Sequence, residues 1–257
     1  MLLAIDVGNT NTVLGLMPEI GDPAHSWRLS SRQERTADEW RGLLDPVLSP
    51  HVRNGEIDAA IIGSVVPAVT GPLATLCRQW LEVEPIIVNA SLDLGITLGQ
   101  KEPQSVGVDR IANAVAAWQM TGSASIVIDF GTATKLEAID ESGVFRGGII
   151  APGLAVSRDA LATRAARLFA VELVAPDQAI GRDTISAVQS GLVLGHARMV
   201  EGLVGDLAKE LGEPDPAILL TGGHAFAIQP ILRINATLYP DLTLYGLRSI
   251  FAHNRPA

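Results

Sequence analysis

The sequence predicts an α/β protein made of two similar domains, on the basis of three observations. Its 257 residues are 47% apolar and 18% charged, which is typical of packed globular proteins and not of disordered chains. Short apolar segments alternate with stretches of helical periodicity, and 25 glycines and 15 prolines are spread between them. One motif also occurs twice, near the start and near the middle of the chain. We therefore expect mixed strands and helices in two related halves.

The strands and the first two helices are predicted from local patterns. Short apolar runs bounded by turn residues predict strands over residues 2–5, 13–16, 59–62, 86–88, 126–128, 136–139 and 218–221. Residues 6–12 form the predicted turn between the first two strands. Thr36 and Glu39 have the spacing of a capping box, which predicts a helix that ends near Pro46. Another helix is predicted to begin near Asp109, because the apolar residues that follow share one face.

A longer helix is predicted over residues 184–211, where apolar residues recur at steps of three, four and seven. Small residues occur along it at Gly191, Gly195, Gly202 and Gly205. They would let another helix approach closely, either from a second copy of the chain or within the core of the second domain. The sequence leaves both alternatives open.

The repeated motif is an apolar strand, then Asp-x-Gly, then small hydroxyl or amide residues. It covers residues 3–12 and again residues 127–134, and its aspartates, Asp6 and Asp129, are 123 residues apart. This offset is close to half the chain length, and both copies have apolar residues on either side. The repeat therefore predicts a duplicated domain, with the boundary near residue 120.

The two turns have the residues that a phosphate site needs. Gly8 and Gly131 have no Cβ, so a phosphate could approach the backbone amides closely. Asp6 and Asp129 supply carboxylates, which suit Mg²⁺ or K⁺ better than zinc. If the turns face each other across a cleft, they could bind a metal–triphosphate complex. The alternative is two ordinary hairpin turns whose aspartates bond to their own backbone, but the presence of a pair favours the phosphate site.

Other phosphate-binding and catalytic signatures are absent from the sequence. It has no Gly-Lys dipeptide and so no Walker A loop, and no G-x-G-x-x-G or G-x-S-x-G segment. Asp129-Phe130-Gly131 spells the protein-kinase triplet, but no H-R-D loop precedes it. The five histidines are scattered singly, without zinc-site spacing.

Charge and cysteine content restrict the partners and the compartment. The net charge of −9 would repel nucleic acid and anionic lipid, so we expect neither as a partner. A single cysteine, Cys77, cannot form an internal disulfide, and the amino terminus lacks the basic flank and length of a signal peptide. No apolar run reaches the roughly 18 residues of a membrane span. We therefore expect a cytoplasmic protein.

A third candidate site is the segment Gly107-Val108-Asp109-Arg110 at the predicted start of a helix. The helix dipole favours the negative charge of Asp109 there, and Arg110 could hold a carboxylate through two hydrogen bonds. The same residues could instead be a helix-stabilising acid and an exposed arginine. These chemical arguments alone do not decide between the two.

Together the motifs resemble those of the type III pantothenate kinases, a family of the acetate and sugar kinase, Hsp70 and actin superfamily. The matching segments follow the family's order: Asp6-Val7-Gly8-Asn9-Thr10-Asn11-Thr12-Val13, Gly63-Ser64-Val65-Val66-Pro67, Val106-Gly107-Val108-Asp109-Arg110, Ile128-Asp129-Phe130-Gly131-Thr132-Ala133-Thr134, Gly147-Gly148-Ile149-Ile150-Ala151-Pro152-Gly153-Leu154, Thr221-Gly222-Gly223 and Asp241-Leu242-Thr243-Leu244-Tyr245-Gly246-Leu247.

This resemblance implies two duplicated RNase H-like domains of the actin and Hsp70 type, with a nucleotide cleft between them. Residues 1–119 would contain the phosphate loop and the pantothenate segment. Residues 120–257 would contain the second phosphate turn, a cation site and the dimer helix. The implied activity is transfer of a phosphoryl group from ATP to the 4′-hydroxyl of pantothenate, the first step of coenzyme A synthesis, in a homodimer.

The resemblance also implies roles for individual residues. ATP would contact Asp6, Val7, Gly8, Asn9, Thr10, Asn11, Thr12, Val13 and Thr132. Pantothenate would contact Gly107, Val108, Asp109, Arg110 and Thr184. Asp109 would accept the hydroxyl proton, and Arg110 would hold the pantothenate carboxylate. Asp129 would bind a monovalent cation, K⁺ or NH₄⁺, and Asp6 would help to hold the Mg²⁺ that accompanies ATP.

Four positions depart from the family's usual residues. Gln100, a further candidate substrate contact, replaces a Tyr that helps to enclose the substrate, and Phe169 replaces a Pro. Lys135 and Glu137 replace the usual Thr and Asp after the second turn. Lys135 could neutralise phosphate charge or occupy the cation site, and the sequence does not choose between these roles.

Two other functions therefore stay open. The chain could phosphorylate a different small alcohol, with a pocket altered around Gln100. It could also be a non-catalytic nucleotide-binding or regulatory homologue.

Overall fold

The structure, a computed structural model, describes residues 1–32, 34–164 and 170–255. Contacts between Cα atoms divide the chain into two compact units. Unit 1 consists of Met1–Gln119 and the segment from Asp241 onward, and unit 2 consists of Met120–Pro240. The polypeptide therefore leaves unit 1, forms unit 2 and returns to unit 1 at its end.

Unit 1 is built on a mixed five-stranded sheet with the order β3-β2-β1-β4-β5. The strands are β1 (Leu2–Val7), β2 (Asn11–Met17), β3 (His25–Ser30), β4 (Ala59–Ser64) and β5 (Ile86–Ile87). β1 pairs antiparallel with β2 and parallel with β4. A further short strand, β6 (Thr97–Leu98), comes later in the chain.

The first helices of unit 1 connect these strands. They are α1 (Ala37–Arg53), α2 (Pro67–Leu76) with a π-helical extension (Cys77–Leu81), a 3₁₀ turn (Pro103–Ser105) and α3 (Val108–Thr121). The predicted capping box is present at α1: the Glu39 amide donates to the Thr36 hydroxyl, and the Thr36 amide donates to the Glu39 carboxylate. α1 continues past Pro46 and Pro50, so its predicted end near Pro46 is wrong.

Unit 2 contains five strands in the order β9-β8-β7-β10-β11. They are β7 (Ser125–Phe130), β8 (Ala133–Ile139), β9 (Val144–Pro152), β10 (Ala217–Thr221) and β11 (Thr237–Leu238). β7 pairs antiparallel with β8 and parallel with β10. The strand order and strand directions therefore repeat those of unit 1, as the duplicated motif predicts.

The helices of unit 2 include the long helix that the periodicity predicts. They are α4 (Leu154–Arg164), α5 (Thr184–Gln189), a π-helical turn (Ser190–Leu194), α6 (Gly195–Leu211), α7 (Ala225–Ile228) and a 3₁₀ turn (Gln229–Ile231). Backbone angles stay helical from α5 through the wider turn into α6. The helix ends at Gly212, whose φ of +75° suits a residue without a side chain.

The last helix, α8 (Leu242–His253), packs in unit 1. The predicted second domain, residues 120–257, includes residues 241–257, so the predicted division differs from the observed one. Close packing explains the difference: a Cβ at Gly246 would lie 1.8 Å from the carbonyl oxygen of Ala112 in α3, so only a glycine permits this approach. A Cβ at Gly63 of β4 would lie 2.8 Å from a methyl carbon of Leu247, so the Leu247 side chain packs directly on this glycine.

Both faces of the unit 1 sheet are buried. Side chains of β1 alternate, so Leu3 and Ile5 pack with Trp40 of α1, while Ala4 packs with Ile111 of α3 and with α8. Unit 2 has a core of its own between its sheet and the helices α5 and α6. Across the described residues, no helix is both long enough and apolar enough to cross a membrane.

Candidate active site

The first Asp-x-Gly motif lies in the hairpin between β1 and β2. Asp6 is half-buried near the end of β1, and the loop itself consists of Gly8, Asn9 and Thr10. The amide of Gly8 donates to the carbonyl of Asn11 at 3.0 Å, which closes the turn. Asn9 and Thr10 are exposed. The turn thus presents polar groups and a carboxylate at one end of the sheet.

The turn is shorter than the predicted span of residues 6–12, because its flanking residues belong to the strands. Val7 and Thr12 are cross-strand partners, and both side chains are completely buried. The Thr12 and Ser31 hydroxyls are hydrogen-bonded at 2.8 Å. Val7 and Thr12 therefore anchor the loop, while Asn11 and Val13 are half-buried at the start of β2.

The predicted pantothenate segment lies near this turn, within the same unit. β1 and β4 are parallel, so their carboxyl ends meet at one edge of the sheet. Just beyond them, the Val65 amide donates to the Val7 carbonyl at 3.0 Å. A Cβ at Gly107 would lie 3.7 Å from a methyl group of Val65. Val65, in the loop after β4, therefore lies between the first turn and the start of α3.

Asp109 occupies the first turn of α3, as predicted, and is half-buried. Its Oδ1 atom accepts a hydrogen bond of 2.9 Å from the amide of Arg110. A Cβ at Gly107 would lie 2.6 Å from the same oxygen, so the missing side chain at Gly107 makes room for the carboxylate. Val108 and Arg110 are half-buried beside it. The local backbone thus holds the Asp109 carboxylate in place.

The second Asp-x-Gly motif forms a tighter hairpin between β7 and β8. Phe130 pairs with Thr134, so this loop is one residue shorter than the first, and the Gly131 amide donates to the Ala133 carbonyl at 3.1 Å. Thr132 is exposed at the tip. The Thr132 carbonyl accepts a hydrogen bond from the Gly153 amide at 3.2 Å, which fixes the tip against the end of β9.

One oxygen of the Asp129 carboxylate lies beside two glycines, and the other contacts Lys135. A Cβ at Gly131 would lie 3.3 Å from Oδ1, and one at Gly222 would lie 2.5 Å from it. Gly222 also has a φ of +93°, so this position requires a glycine for two reasons. The other oxygen, Oδ2, lies 2.7 Å from the Nζ atom of Lys135. This ion pair lies where the family resemblance implies a monovalent cation.

Behind the second turn, a buried polar contact connects β8 with α6. The Thr134 hydroxyl and the His196 Nε2 atom are 2.8 Å apart, and both residues are buried. Burial, together with the nearby His224, lowers the pKa of His196. His196 is therefore neutral at pH 7, and it supports the strand that carries Lys135.

The comparisons with known proteins identify the family. The model of the type III pantothenate kinase family matches residues 2–206. A type III pantothenate kinase of Thermomicrobium roseum is 46% identical over 253 residues, covering 98% of this chain and 96% of that protein. The chain belongs to the type III pantothenate kinase family. The family predicted from the motifs is thus confirmed, and the chain is a kinase.

Solved structures support the predicted fold. A Campylobacter jejuni protein of the Baf transcriptional activator family aligns with a TM-score of 0.61 and 18% identity, over 98% of both chains. The ROK hexokinase of Thermus thermophilus aligns with a TM-score of 0.53 and 15% identity, over 97% of both chains. At these identities the similarity concerns the fold alone, and it confirms the sugar kinase and actin-like class.

The other predicted substrate contacts of this pantothenate kinase family member, Gln100 and Thr184, belong to unit 1 and unit 2 respectively. Thr184 is exposed at the start of α5 in unit 2, next to the capping residue Asp183. Gln100 is half-buried two residues after β6. Their roles as substrate contacts stay predictions. Phe169 lies outside the described residues.

Two supporting residues, His196 and His224, are isolated histidines in the sequence, and no short motif marks the contact of His196 with Thr134. The ion pair of Lys135 with Asp129 corresponds to one of the two roles that the sequence leaves open for Lys135, occupation of the cation site. The choice between these roles depends on the exact length of the hairpin loop, which fixes the register of the two strands.

Proposed function

We propose that this chain uses Asp109 and its two Asp-x-Gly turns to transfer the γ-phosphoryl group of ATP to pantothenate. As a type III pantothenate kinase, it phosphorylates pantothenate in coenzyme A synthesis. The new bond joins the 4′-oxygen of pantothenate to the γ-phosphorus, the bond from that phosphorus to the β–γ bridging oxygen breaks, and ADP leaves. One observation carries this assignment: the Asp109 carboxylate is fixed close to the first turn. The Arg110 amide holds the carboxylate, Gly107 lies near Val65, and the Val65 amide is hydrogen-bonded to Val7 at the first turn.

Asp109 is the proposed proton acceptor. Phosphoryl transfer depends mainly on alignment and charge stabilisation, and a carboxylate that orients the attacking hydroxyl serves both. The Arg110 amide donates to one oxygen of this carboxylate and so fixes its orientation. Arg110 would hold the pantothenate carboxylate through its guanidinium group, and Gly107, Val108, Thr184 and Gln100 complete the proposed substrate contacts.

The nucleotide contacts follow from the exposed parts of the turns. In unit 1, the amides and polar side chains of Asn9 and Thr10 would bind phosphate oxygens, and Gly8, which has no Cβ, would let them approach. Asp6 and residues 11–13 would support these contacts. Because the Val7 and Thr12 side chains are buried, their contribution is structural or comes from the backbone. In unit 2, Thr132 is the proposed contact.

Mg²⁺ would arrive with ATP. Among the described residues no cluster of three or more His, Cys, Asp or Glu side chains could hold a metal ion. Mg²⁺ commonly keeps several waters and binds one or two carboxylates plus substrate phosphates, so the single carboxylate of Asp6 fits this mode. K⁺ or NH₄⁺ at Asp129 does not fit, since the Lys135 ammonium already contacts that carboxylate.

We also propose a homodimer in the cytoplasm. Gly191, Gly195, Gly202 and Gly205 are all exposed, and a Cβ at any of them would have no described atom closer than 3.9 Å. Their smallness is therefore not required by packing among the described residues, which favours the intermolecular alternative. The cytoplasmic assignment is supported by the single cysteine, Cys77, which cannot form an internal disulfide. Burial raises the pKa of its thiol to about 12, so the thiol is unreactive.

The activity is tested by measuring ADP release with and without pantothenate. Release that requires pantothenate supports the proposal. Release that requires another small alcohol would assign a different substrate, and tight ATP binding without turnover would indicate a non-catalytic homologue. Pantoate and β-alanine, the two halves of pantothenate, serve as matched negative controls.

A further inference from the structure

The contact between Lys135 and Asp129 is built into the sheet. The two residues are cross-strand partners on β7 and β8, so their side chains leave the same face at adjacent positions. The Nζ and Oδ2 atoms are 2.7 Å apart, and the two side chains are only 13% and 15% exposed. An ion pair this short and this shielded from water is a fixed feature of unit 2 and not a fluctuating surface contact.

The Asp129 carboxylate already has one cation beside it, the Lys135 ammonium. Its Oδ1 atom lies beside two glycines, since a Cβ would be 3.3 Å from it at Gly131 and 2.5 Å from it at Gly222. A cation that approached Oδ2 would meet the Lys135 ammonium at close range. Two positive charges in a partly buried site repel each other strongly, because little water screens them.

The lysine side chain carries what a bound monovalent cation would supply. Its ammonium group has one positive charge and three N–H donors. A bound NH₄⁺ ion has the same charge and four N–H donors. Unlike a free ion, it is attached to β8, and Thr134, the residue before it, is tied to His196. The charge is therefore present without any ion from solution.

We propose that the Lys135 ammonium takes the place of the monovalent cation at Asp129, so this kinase works without added K⁺ or NH₄⁺. The proposal rests on the kinase activity described above. It places a permanent positive charge beside the Gly131–Thr132 turn, where the phosphate oxygens of ATP are proposed to bind. Lys135 acts here as a positioning residue for Asp129 and for the turn.

The unmodified protein gives the first test. Initial rates are measured in the chlorides of K⁺, NH₄⁺, Na⁺ and tetramethylammonium at one ionic strength, because general screening would otherwise change with the salt. ADP is quantified directly by chromatography, since coupling enzymes can themselves respond to the cation. We expect kcat/KM to agree within about twofold in all four salts. A stimulation of about tenfold by K⁺ or NH₄⁺ over tetramethylammonium would overturn the proposal.

The variant Lys135→Thr gives the second test, because it removes the ammonium and opens space beside Asp129. In tetramethylammonium its kcat/KM should fall about tenfold to hundredfold, and K⁺ or NH₄⁺ should restore most of it in a saturable way. Lys209→Thr is the matched control: Lys209 is exposed in the last turn of α6, and its variant should behave like the unmodified protein in every salt.

Thermal unfolding supplies a readout that does not depend on turnover. K⁺ should raise the melting temperature of Lys135→Thr above its value in tetramethylammonium, and it should leave that of the unmodified protein unchanged. If no salt supports turnover, the proposed kinase activity fails. The melting temperatures then still show whether Lys135 replaces a monovalent cation at Asp129. A Lys135→Thr protein that K⁺ neither stabilises nor reactivates would contradict the proposal.

Discussion

At the level of single residues, the position of Asp109 depends on the absence of a side chain two residues earlier. Its carboxylate occupies space that a Cβ at Gly107 would take, and the Arg110 amide holds one of its oxygens. The sequence identified Asp109 and both turn aspartates through short motifs. It leaves two roles open for Lys135, because the contact with Asp129 depends on a loop one residue shorter than its counterpart in unit 1.

The first prediction concerns the proton acceptor. Asp109→Asn keeps the size of the side chain and removes the basic oxygen, so kcat should fall about 10²- to 10⁴-fold. Asp38→Asn is the matched control, since Asp38 is an exposed acid in the first turn of α1. Steady-state rates and circular dichroism are measured together. A folded Asp109→Asn enzyme with nearly unchanged kcat would exclude Asp109 as the base.

At the level of secondary-structure elements, the burial of apolar side chains outweighs the local helix and strand propensities of the residues. α1 continues through Pro46 and Pro50, each of which lacks an amide donor, because Trp40, Leu44 and Leu48 are completely buried along one face. β3 escaped prediction for the opposite reason: it is largely exposed and has no regular apolar alternation. Strands with apolar cores and helices with strong periodicity were predictable, and elements shaped by the tertiary environment were not.

The contact between β8 and α6 predicts a pH dependence of stability. Burial lowers the pKa of both His196 and His224 in the folded state. The unfolded chain therefore binds protons more readily, so the free energy of unfolding is at its full value above the ordinary histidine pKa of about 6.5 and falls as the pH drops below it.

Urea denaturation at pH 7.5, 6.5 and 5.5 measures this effect. The free energy of unfolding should decrease across the series, and the double variant His196→Gln, His224→Gln should show a smaller decrease. The carboxylates with lowered pKa values titrate below this range, so their contribution is constant here. If the unmodified protein and the double variant lose the same free energy of unfolding between pH 7.5 and pH 5.5, the two histidines do not carry the effect.

At the level of the whole molecule, the repeated motif corresponds to a repeated strand order in two units. The sequence could predict this duplication because each Asp-x-Gly turn is local. It could not place α8 in unit 1, because the decisive contacts join Gly246 to Ala112 and Leu247 to Gly63, which are far apart in the chain. The order of the motifs along the chain predicts two consecutive domains. Packing instead gives a first unit made of two chain segments, Met1–Gln119 and the segment from Asp241 onward.

The exposed glycines of the π-helical turn (Ser190–Leu194) and of α6 predict the oligomeric state. Light scattering after size exclusion should give about twice the chain mass of 27.1 kDa. Gly202→Arg with Gly205→Arg should give the single-chain mass, because long charged side chains prevent a close helix approach. Gly42→Arg, at an exposed glycine of α1, should leave the mass unchanged. A dimeric double variant would rule out this face as the interface.

The most direct measurement for the whole account is the ratio of product to ADP in one reaction. Pantothenate and ATP are incubated with the protein and Mg²⁺, and mass spectrometry quantifies phosphopantothenate and ADP in the same samples. The account predicts one phosphopantothenate for each ADP, with phosphorus on the 4′-oxygen by ³¹P–¹H correlation. ADP release without phosphopantothenate, or no release at all, would contradict it.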